Sequence, residues 1–416
     1  MSQTHAFSNR SRSSALFGLA AICVLGGSDA PSSAPSDPTF TALRVDGTTV
    51  SGRLRRLDVR GGVSLAVDEV EHIERVSTVA LVKLTRDGET PSIPHDGGLV
   101  LFPDGDRLYQ RADFGPVGDA NLEVQSYAGG SVSIPLDGIL GLIFAAPTDG
   151  DSGEALIAKV RDEPRTGEVL WLGNGDRLTG GLLGLDEKTV EFQTSTGKVK
   201  VDRSGILALG FDPKLVSYPR PDGPYLELTL LDGSRLGATS VAIEGGRIQA
   251  MTRHGRSIAF AVGELAQIHT KNASVEYLAD RAPAIEKYVA YVGPTRPVRR
   301  NLAVDGRSLR LAGKTYDRGL GTQSRSFLAY RLEPGAKRFQ ALVGIDDRAG
   351  PLGSAVFRVI VDGADRFVSP PLSVRDAPKA VDVDLKGART LVLVTEFGER
   401  GEVRDHADWV EARLIR

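Results

Sequence analysis

The chain has 416 residues, 51 Lys+Arg against 53 Asp+Glu, and one Cys, a length that supports two or three domains. A net charge of −2 excludes a general polyanion binder, because nucleic acid is gripped through a cationic excess that displaces counterions. High Gly (48), 22 Pro and 6% aromatic residues fit short strands joined by turns and exclude a helical bundle, while the lone Cys23 excludes a disulfide framework, a cysteine zinc site and an iron–sulfur centre.

At the N-terminus, Arg10 and Arg12 precede the apolar run Ala15 to Leu25, and small residues follow from Gly26 to Ala30. A basic start, a short apolar stretch and a small-residue exit predict a secretory signal peptide over residues 1–30, since the run is short for a membrane span. The expectation is an exported protein, in the periplasm, at the cell surface or extracellular. It would have no stable membrane span after signal cleavage, and Cys23 would leave with the signal. An uncleaved N-terminal anchor is the alternative. Residues 31–39 continue a Pro/Ser/Asp/Ala tract and read as a flexible linker.

From Phe40 a pattern recurs four times. Asp46-Gly47, Asp104-Gly105, Asn174-Gly175 and Asp232-Gly233 each sit between two apolar runs, which predicts four hairpins because both turn residues tolerate positive φ. Alternating stretches and apolar closing segments follow, such as Ile139 to Phe144 and Ile206 to Phe211. The turn pairs start at 46, 104, 174 and 232, a near-regular period that marks a four-fold β-repeat region over residues 40–273. Asp104, Asp106, Asn174 and Asp176 read either as fragments of a cation loop or as plain turn formers. The further oxygen ligands of a calcium loop are missing, which favours the turn.

Beyond Asn272 the charge changes. Residues 275–416 carry 24 Lys+Arg and 19 Asp+Glu, hence +5, leaving −7 for residues 1–274, so two regions of different surface character are expected. The C-terminal region contains, in order, Tyr316-Asp-Arg-Gly319-Leu-Gly321, Val343-Gly-Ile345-Asp346-Asp347, Phe357-Arg-Val-Ile-Val361-Asp362-Gly363 and Asp405-His406-Ala407-Asp408-Trp409. Its apolar runs between Gly, Pro and Asp turns predict six to eight antiparallel strands in a β-sandwich.

This ordered set resembles the NPCBM family, carbohydrate-binding modules associated with family-98 glycoside hydrolases, over residues 274–416. The resemblance implies a jelly-roll, galactose-binding-like sandwich with a glycan or polysaccharide as partner, so the whole chain is expected to be all-β, the N-terminal array of β-hairpin repeats being followed by that sandwich. Carbohydrate ligands need an aromatic face beside rigid hydrogen-bonding groups. Asp405, His406, Asp408 and Trp409 supply both kinds, and Gln323 stands where many family members carry His. Trp409 reads equally as a core residue of the last strand. Asp346 and Asp347 are candidate calcium ligands, calcium being the one cofactor suggested, or they satisfy backbone amides at a turn.

Nothing in the chain suggests an enzyme. Glycoside hydrolysis needs two placed carboxylates, and adjacent Asp346 and Asp347 would point to opposite faces of a strand. A Gly-x-Ser-x-Gly elbow and a phosphate-cradling loop are both missing. The sequence therefore points to a non-catalytic carbohydrate-binding protein, secreted or associated with the envelope. The alternatives are a structural or interaction protein with an envelope protein partner, whose sandwich no longer binds sugar, and an accessory subunit of a polysaccharide-degrading system.

Overall fold

Among the described residues, twenty short strands and one α-helix precede the sandwich, and the strands fall into four groups of five. The first group is β1 (Thr39–Arg44), β2 (Thr49–Asp58), β3 (Gly62–Ala66), β4 (Ile73–Val76) and β5 (Leu81–Arg86). The second is β6 (Leu99–Leu101), β7 (Arg107–Tyr109), β8 (Asn121–Ser126), β9 (Gly130–Pro135) and β10 (Gly141–Ile143). The third is β11 (Glu168–Leu172), β12 (Arg177–Leu185), β13 (Thr189–Thr194), β14 (Gly197–Asp202) and β15 (Ile206–Gly210). The fourth is β16 (Tyr225–Leu230), β17 (Arg235–Glu244), β18 (Arg247–Thr252), β19 (Ser257–Ala261) and β20 (Leu265–Lys271). These come from a computed structural model that describes residues 37–416 apart from 95, 112, 118–120, 128–129, 145–149, 291–295 and 400. The predicted signal segment, with Cys23, and most of the linker lie outside the described residues.

All four predicted hairpins form. In each unit the first strand pairs antiparallel with the second and also with the closing strand. Gly47, Gly105, Gly175 and Gly233 take φ of 86°, 88°, 92° and 83°, the left-handed region that an Asp-Gly or Asn-Gly turn needs. The longer interval between the second and third turn pairs has a physical cause that periodicity did not reveal: the helix α1 (Gly150–Asp162) is inserted there. Its Ile157 and Val160 are buried against Leu99, Leu101, Tyr109 and Trp171.

The units are joined in a nested order. Closing strands β10 and β15 pair antiparallel, with Gly141 opposite Gly210, and closing strands β5 and β20 pair likewise, with Lys83 opposite His269. The second unit thus joins the third, and the first joins the fourth. Phe40, Leu54, Val100, Leu142, Phe192, Leu209, Phe260 and Ile268 belong to one continuous apolar core shared by all four units.

The sandwich comprises β21 (Val275–Tyr277), β22 (Ile285–Tyr288), β23 (Arg299–Arg300), β24 (Leu309–Leu311), β25 (Lys314–Tyr316), β26 (Gly319–Gln323), β27 (Ser326–Arg331), β28 (Arg338–Ile345), β29 (Ser354–Val361), β30 (Ala364–Val368), β31 (Leu372–Ser373), β32 (Lys379–Asp384), β33 (Thr390–Phe397) and β34 (His406–Ile415). One sheet runs β23-β26-β34-β28-β32 with β21 beside β34. The other runs β22-β27-β33-β29-β30 with β31 beside β29. Leu320, Leu328, Phe339, Phe357, Leu393, Trp409 and Leu414 fill the space between them. No described helix is long and apolar enough to cross a membrane.

Array and sandwich are not independent bodies, although their charge balance differs: Pro38–Arg416 form one compact unit. Val82 of the array packs against Val275, Tyr277 and Ile415 of the sandwich. In β34 two residues oppose one of β28 near Gln340 and Leu342, and Glu411 at this irregularity has φ 55°. Such a bulge re-aims side chains. Glu411 here accepts hydrogen bonds from Lys83 Nζ of the array at 3.1 Å and from Tyr277 Oη at 3.4 Å.

Candidate functional site

The predicted site residues are contributed mainly by two strands of one sheet. Gln323 at the end of β26 lies directly opposite His406 at the start of β34, so both side chains share one face of the sheet. Two residues on, Asp408 opposes Gly321 on that same face, while Ala407 and Trp409 alternate to the other. The period of two therefore separates the predicted cluster: Gln323, His406 and Asp408 face outward, and Trp409 faces the core between the sheets.

Trp409 is fully buried. Its ring meets Phe357 edge-on at 5.3 Å between centroids, and its Nε1 donates to Thr395 Oγ1 at 3.0 Å. The exposed aromatic platform expected at this position is replaced by the other reading, a core residue, because apolar neighbours and a buried hydroxyl satisfy both ends of the indole. Asp405 is also buried. It accepts hydrogen bonds from Ser324 Oγ and from Ser354 N, the latter at 2.9 Å, and so ties the β26–β27 turn to β29. Burial pushes its carboxyl up to about 6.

Asp408 is buried beneath the β24–β25 hairpin, beside Asp346. Burial first, and the Asp346 carboxylate second, push Asp408 well above the ordinary carboxylate range, since two like charges at one buried site cannot both be tolerated. Asp346 accepts from Arg310 N at 3.1 Å and from Arg348 N at 2.9 Å. Asp347 accepts from Ala312 N and Gly313 N, each at 2.8 Å. Both carboxylates of the calcium expectation are thus engaged by backbone amides of the β24–β25 hairpin and the following turn. No group of three or more ligating side chains suited to a metal ion occurs among the described residues.

Gln323 and His406 remain closest to the outside. Gln323 Nε2 donates to Glu402 O at 3.0 Å, but its Oε1 is buried with no hydrogen-bond partner among the described residues. His406 is half-buried, and its Nδ1 is likewise without a partner among them. Burial holds the imidazole below its ordinary value, which favours the neutral ring. Tyr288 Oη donates to Glu402 Oε2 at 3.4 Å nearby. Tyr288 and Glu402 were not singled out in the sequence, where they stand far apart in segments without a distinctive motif.

The acidic turn residues of the array are engaged by protein donors. Asp104 accepts from Arg253 and Arg220, each at 2.9 Å, and Asp106 accepts from Tyr218 Oη at 2.7 Å and Gly237 N at 2.8 Å. Burial pushes Asp106 up to about 6. Asn174 Nδ2 donates to Asp176 within its own turn at 2.7 Å. These contacts replace the cation-loop reading with turn formation and with a clamp between the second and fourth units.

Residues 276–415 match the sequence profile of the NPCBM/NEW2 domain. A Renibacterium salmoninarum protein that carries the name endo-alpha-N-acetylgalactosaminidase is 32% identical over 111 residues, which are 27% of this chain and 7% of that protein. The chain therefore spans a small fraction of that relative's length. The solved structure of CBM51 from Clostridium perfringens GH95, in complex with methyl-galactose, is 26% identical and covers 34% of this chain and 99% of that one, with a TM-score of 0.31. The tandem CBM51 modules of the family 98 glycoside hydrolase from Streptococcus pneumoniae are 15% identical and cover 62% of this chain and 91% of that one, with a TM-score of 0.30.

Proposed function

We propose, from the NPCBM/NEW2 match over residues 276–415, that the chain is an exported, non-catalytic carbohydrate-binding protein. In this reading the sandwich recognises a glycan at the end of β26 and the start of β34, around Gln323 and His406. The family match is the observation that carries it. The unpartnered Gln323 Oε1 and His406 Nδ1 add a chemical reason, because an unpaired buried polar atom costs free energy that a ligand hydroxyl would recover. Asp405 acts from behind by holding the β26–β27 turn, and Asp346 and Asp347 hold the β24–β25 hairpin.

Glycan-array binding by the full chain, followed by titration of the retained sugar, tests this. Gln323→Ala should weaken the retained sugar about 10-fold, the cost of about one hydrogen bond to a buried acceptor. Failure of the wild-type chain to bind any glycan overturns the reading.

A second reading is supported by complete burial of Trp409 and by the extensive seam between array and sandwich. Here the sandwich serves as a structural partner of the array, or of another envelope protein, without binding sugar. A wild-type chain silent on the array, yet retaining an envelope protein in a defined complex, would favour it.

A further inference from the structure

At the junction of array and sandwich the surface opens into a cleft of about 1140 Å³, above the range of roughly 300–1,000 Å³ in which small ligands are enclosed. None of Gln323, Asp405, His406 and Asp408 lines it, so it is separate from the site at the end of β26 and the start of β34. Its walls come from the turn at Asp104, the end of α1, the fourth unit, and the segments Val275–Asp280 and Pro297–Leu302 of the sandwich.

The charge in the cleft does not cancel. Asp104 is held by Arg220 and Arg253, Asp162 by Arg161, Glu276 by Arg416, and Asp280 by Lys271 and Arg318. These acids are neutralised by cations on the same walls or immediately behind them. Arg299 and Arg300, both exposed on the short strand β23, line the cleft and form no ion pair among the described residues. The lining acid without an ion pair among those residues is the exposed Asp222. The site therefore presents a cationic surplus. Tyr225, half-buried in the same lining, adds an aromatic wall, with Arg253 Cζ at 5.2 Å from its ring centroid.

A planar guanidinium pairs bidentately with carboxylate or sulfate oxygens, and a tyrosine ring accepts the apolar face of a pyranose. We propose that this cleft is a second saccharide site, which takes a sugar chain bearing several carboxylate or sulfate groups, with Arg299 and Arg300, which alternate on β23 and so meet separate acidic groups of that chain, as anion partners and Tyr225 as the stacking wall. The site sits where two structural parts meet, so it belongs to the whole chain and to neither part alone.

The test is equilibrium binding of the full chain to oligogalacturonate, to dextran sulfate and to a neutral galacto-oligosaccharide, at about 50 mM and about 500 mM salt. The wild type should bind at least one acidic probe at low salt and lose most of that affinity at high salt. The double variant Arg299→Glu with Arg300→Glu should lose about 10-fold or more on that probe and leave binding of the neutral probe unchanged. Preference between the acidic probes tells whether the group read is carboxylate or sulfate. If charge reversal lowers the melting temperature, Arg299→Gln with Arg300→Gln takes its place. Failure of the wild type to bind either acidic probe, or equal affinity in the folded variant, overturns the proposal. Gln323→Ala should leave acidic binding intact, which separates this site from the one at the end of β26.

Discussion

Arg318 of the sandwich and Glu227 of the fourth group of strands form an ion pair from which solvent is excluded on both sides. Around Glu227 stand Lys271 at 3.7 Å, Arg235 at 3.8 Å and His269 at 3.7 Å, and Arg318 also donates to Asp280 at 2.7 Å. Burial disfavours the Glu227 carboxylate, but the surrounding cations, Arg318 foremost, outweigh it and hold the group well below the usual carboxylate range. The joint between the two parts of the molecule is therefore ionic at its centre and apolar at its side, where Val82 meets Tyr277 and Ile415.

Arg318→Met should destabilise the whole chain by about 3 kcal/mol, because it strands Glu227 as a buried charge with weaker partners. Adding Glu227→Leu should restore much of that loss, since replacing both members of a buried pair by apolar groups is often close to neutral. Urea unfolding followed by circular dichroism reads both. Full additivity of the two changes would show that the residues are not coupled.

Two buried groups give opposing pH dependences. Burial, with Arg318 beside it, holds His269 well below its ordinary 6.5. As pH falls below 6.5 the unfolded chain gains a proton that the folded one refuses, and stability declines. Asp405 behaves in reverse: its folded value of about 6 lies above the ordinary 3.8, so stability rises as pH falls through that window. Each slope is at most about 1.4 kcal/mol per pH unit. His269→Gln should make the protein relatively more stable toward pH 5 than the wild type, and Asp405→Asn relatively less so. Parallel stability–pH curves for the wild type and both variants would contradict this.

Sugar titration should leave tryptophan fluorescence unchanged in wavelength and intensity. Trp171 and Trp409, the two tryptophans of the chain, are both buried, and Trp409 is enclosed by Phe357 and Phe339. Quenching or a red shift on ligand addition would mean that Trp409 becomes accessible. Trp409→Ala should cost about 3–5 kcal/mol through the cavity it leaves.

Calcium and EDTA should leave the melting temperature unaltered, because backbone amides already occupy the Asp346 and Asp347 oxygens. Asp346→Ala should instead cost about 1–3 kcal/mol by freeing the amides of Arg310 and Arg348. A rise in melting temperature with calcium, lost in Asp347→Asn, would reopen the metal reading.

Local signals in the sequence carried the hairpins: an Asp-Gly or Asn-Gly pair between apolar runs needs no distant partner to make its turn. The joining of β5 to β20 was not legible, since nothing in Leu81–Arg86 specifies which distant edge strand it will meet. For the same reason Glu227 and Arg318 gave no hint of each other, being charged residues in different parts of the chain that become partners only across the seam. Trp409 is the instructive case. Its neighbourhood of polar residues suggested a surface site, yet one step along a strand reverses the face. Asp408 and Trp409 could not both line the same cleft while that strand stayed regular.

The nested order of the four strand groups has a consequence for how the chain acquires its structure. An open stack of repeats can nucleate at any point and grow by adding neighbours. Here the first unit completes its sheet only through the fourth, with Lys83 opposite His269, and the sandwich then docks on that closing pair. The N-terminal unit must therefore wait, with its β5 edge unsatisfied, until most of the polypeptide has emerged. Such long-range pairing slows folding, and an exposed strand edge during that interval is a target for aggregation or for chaperone capture.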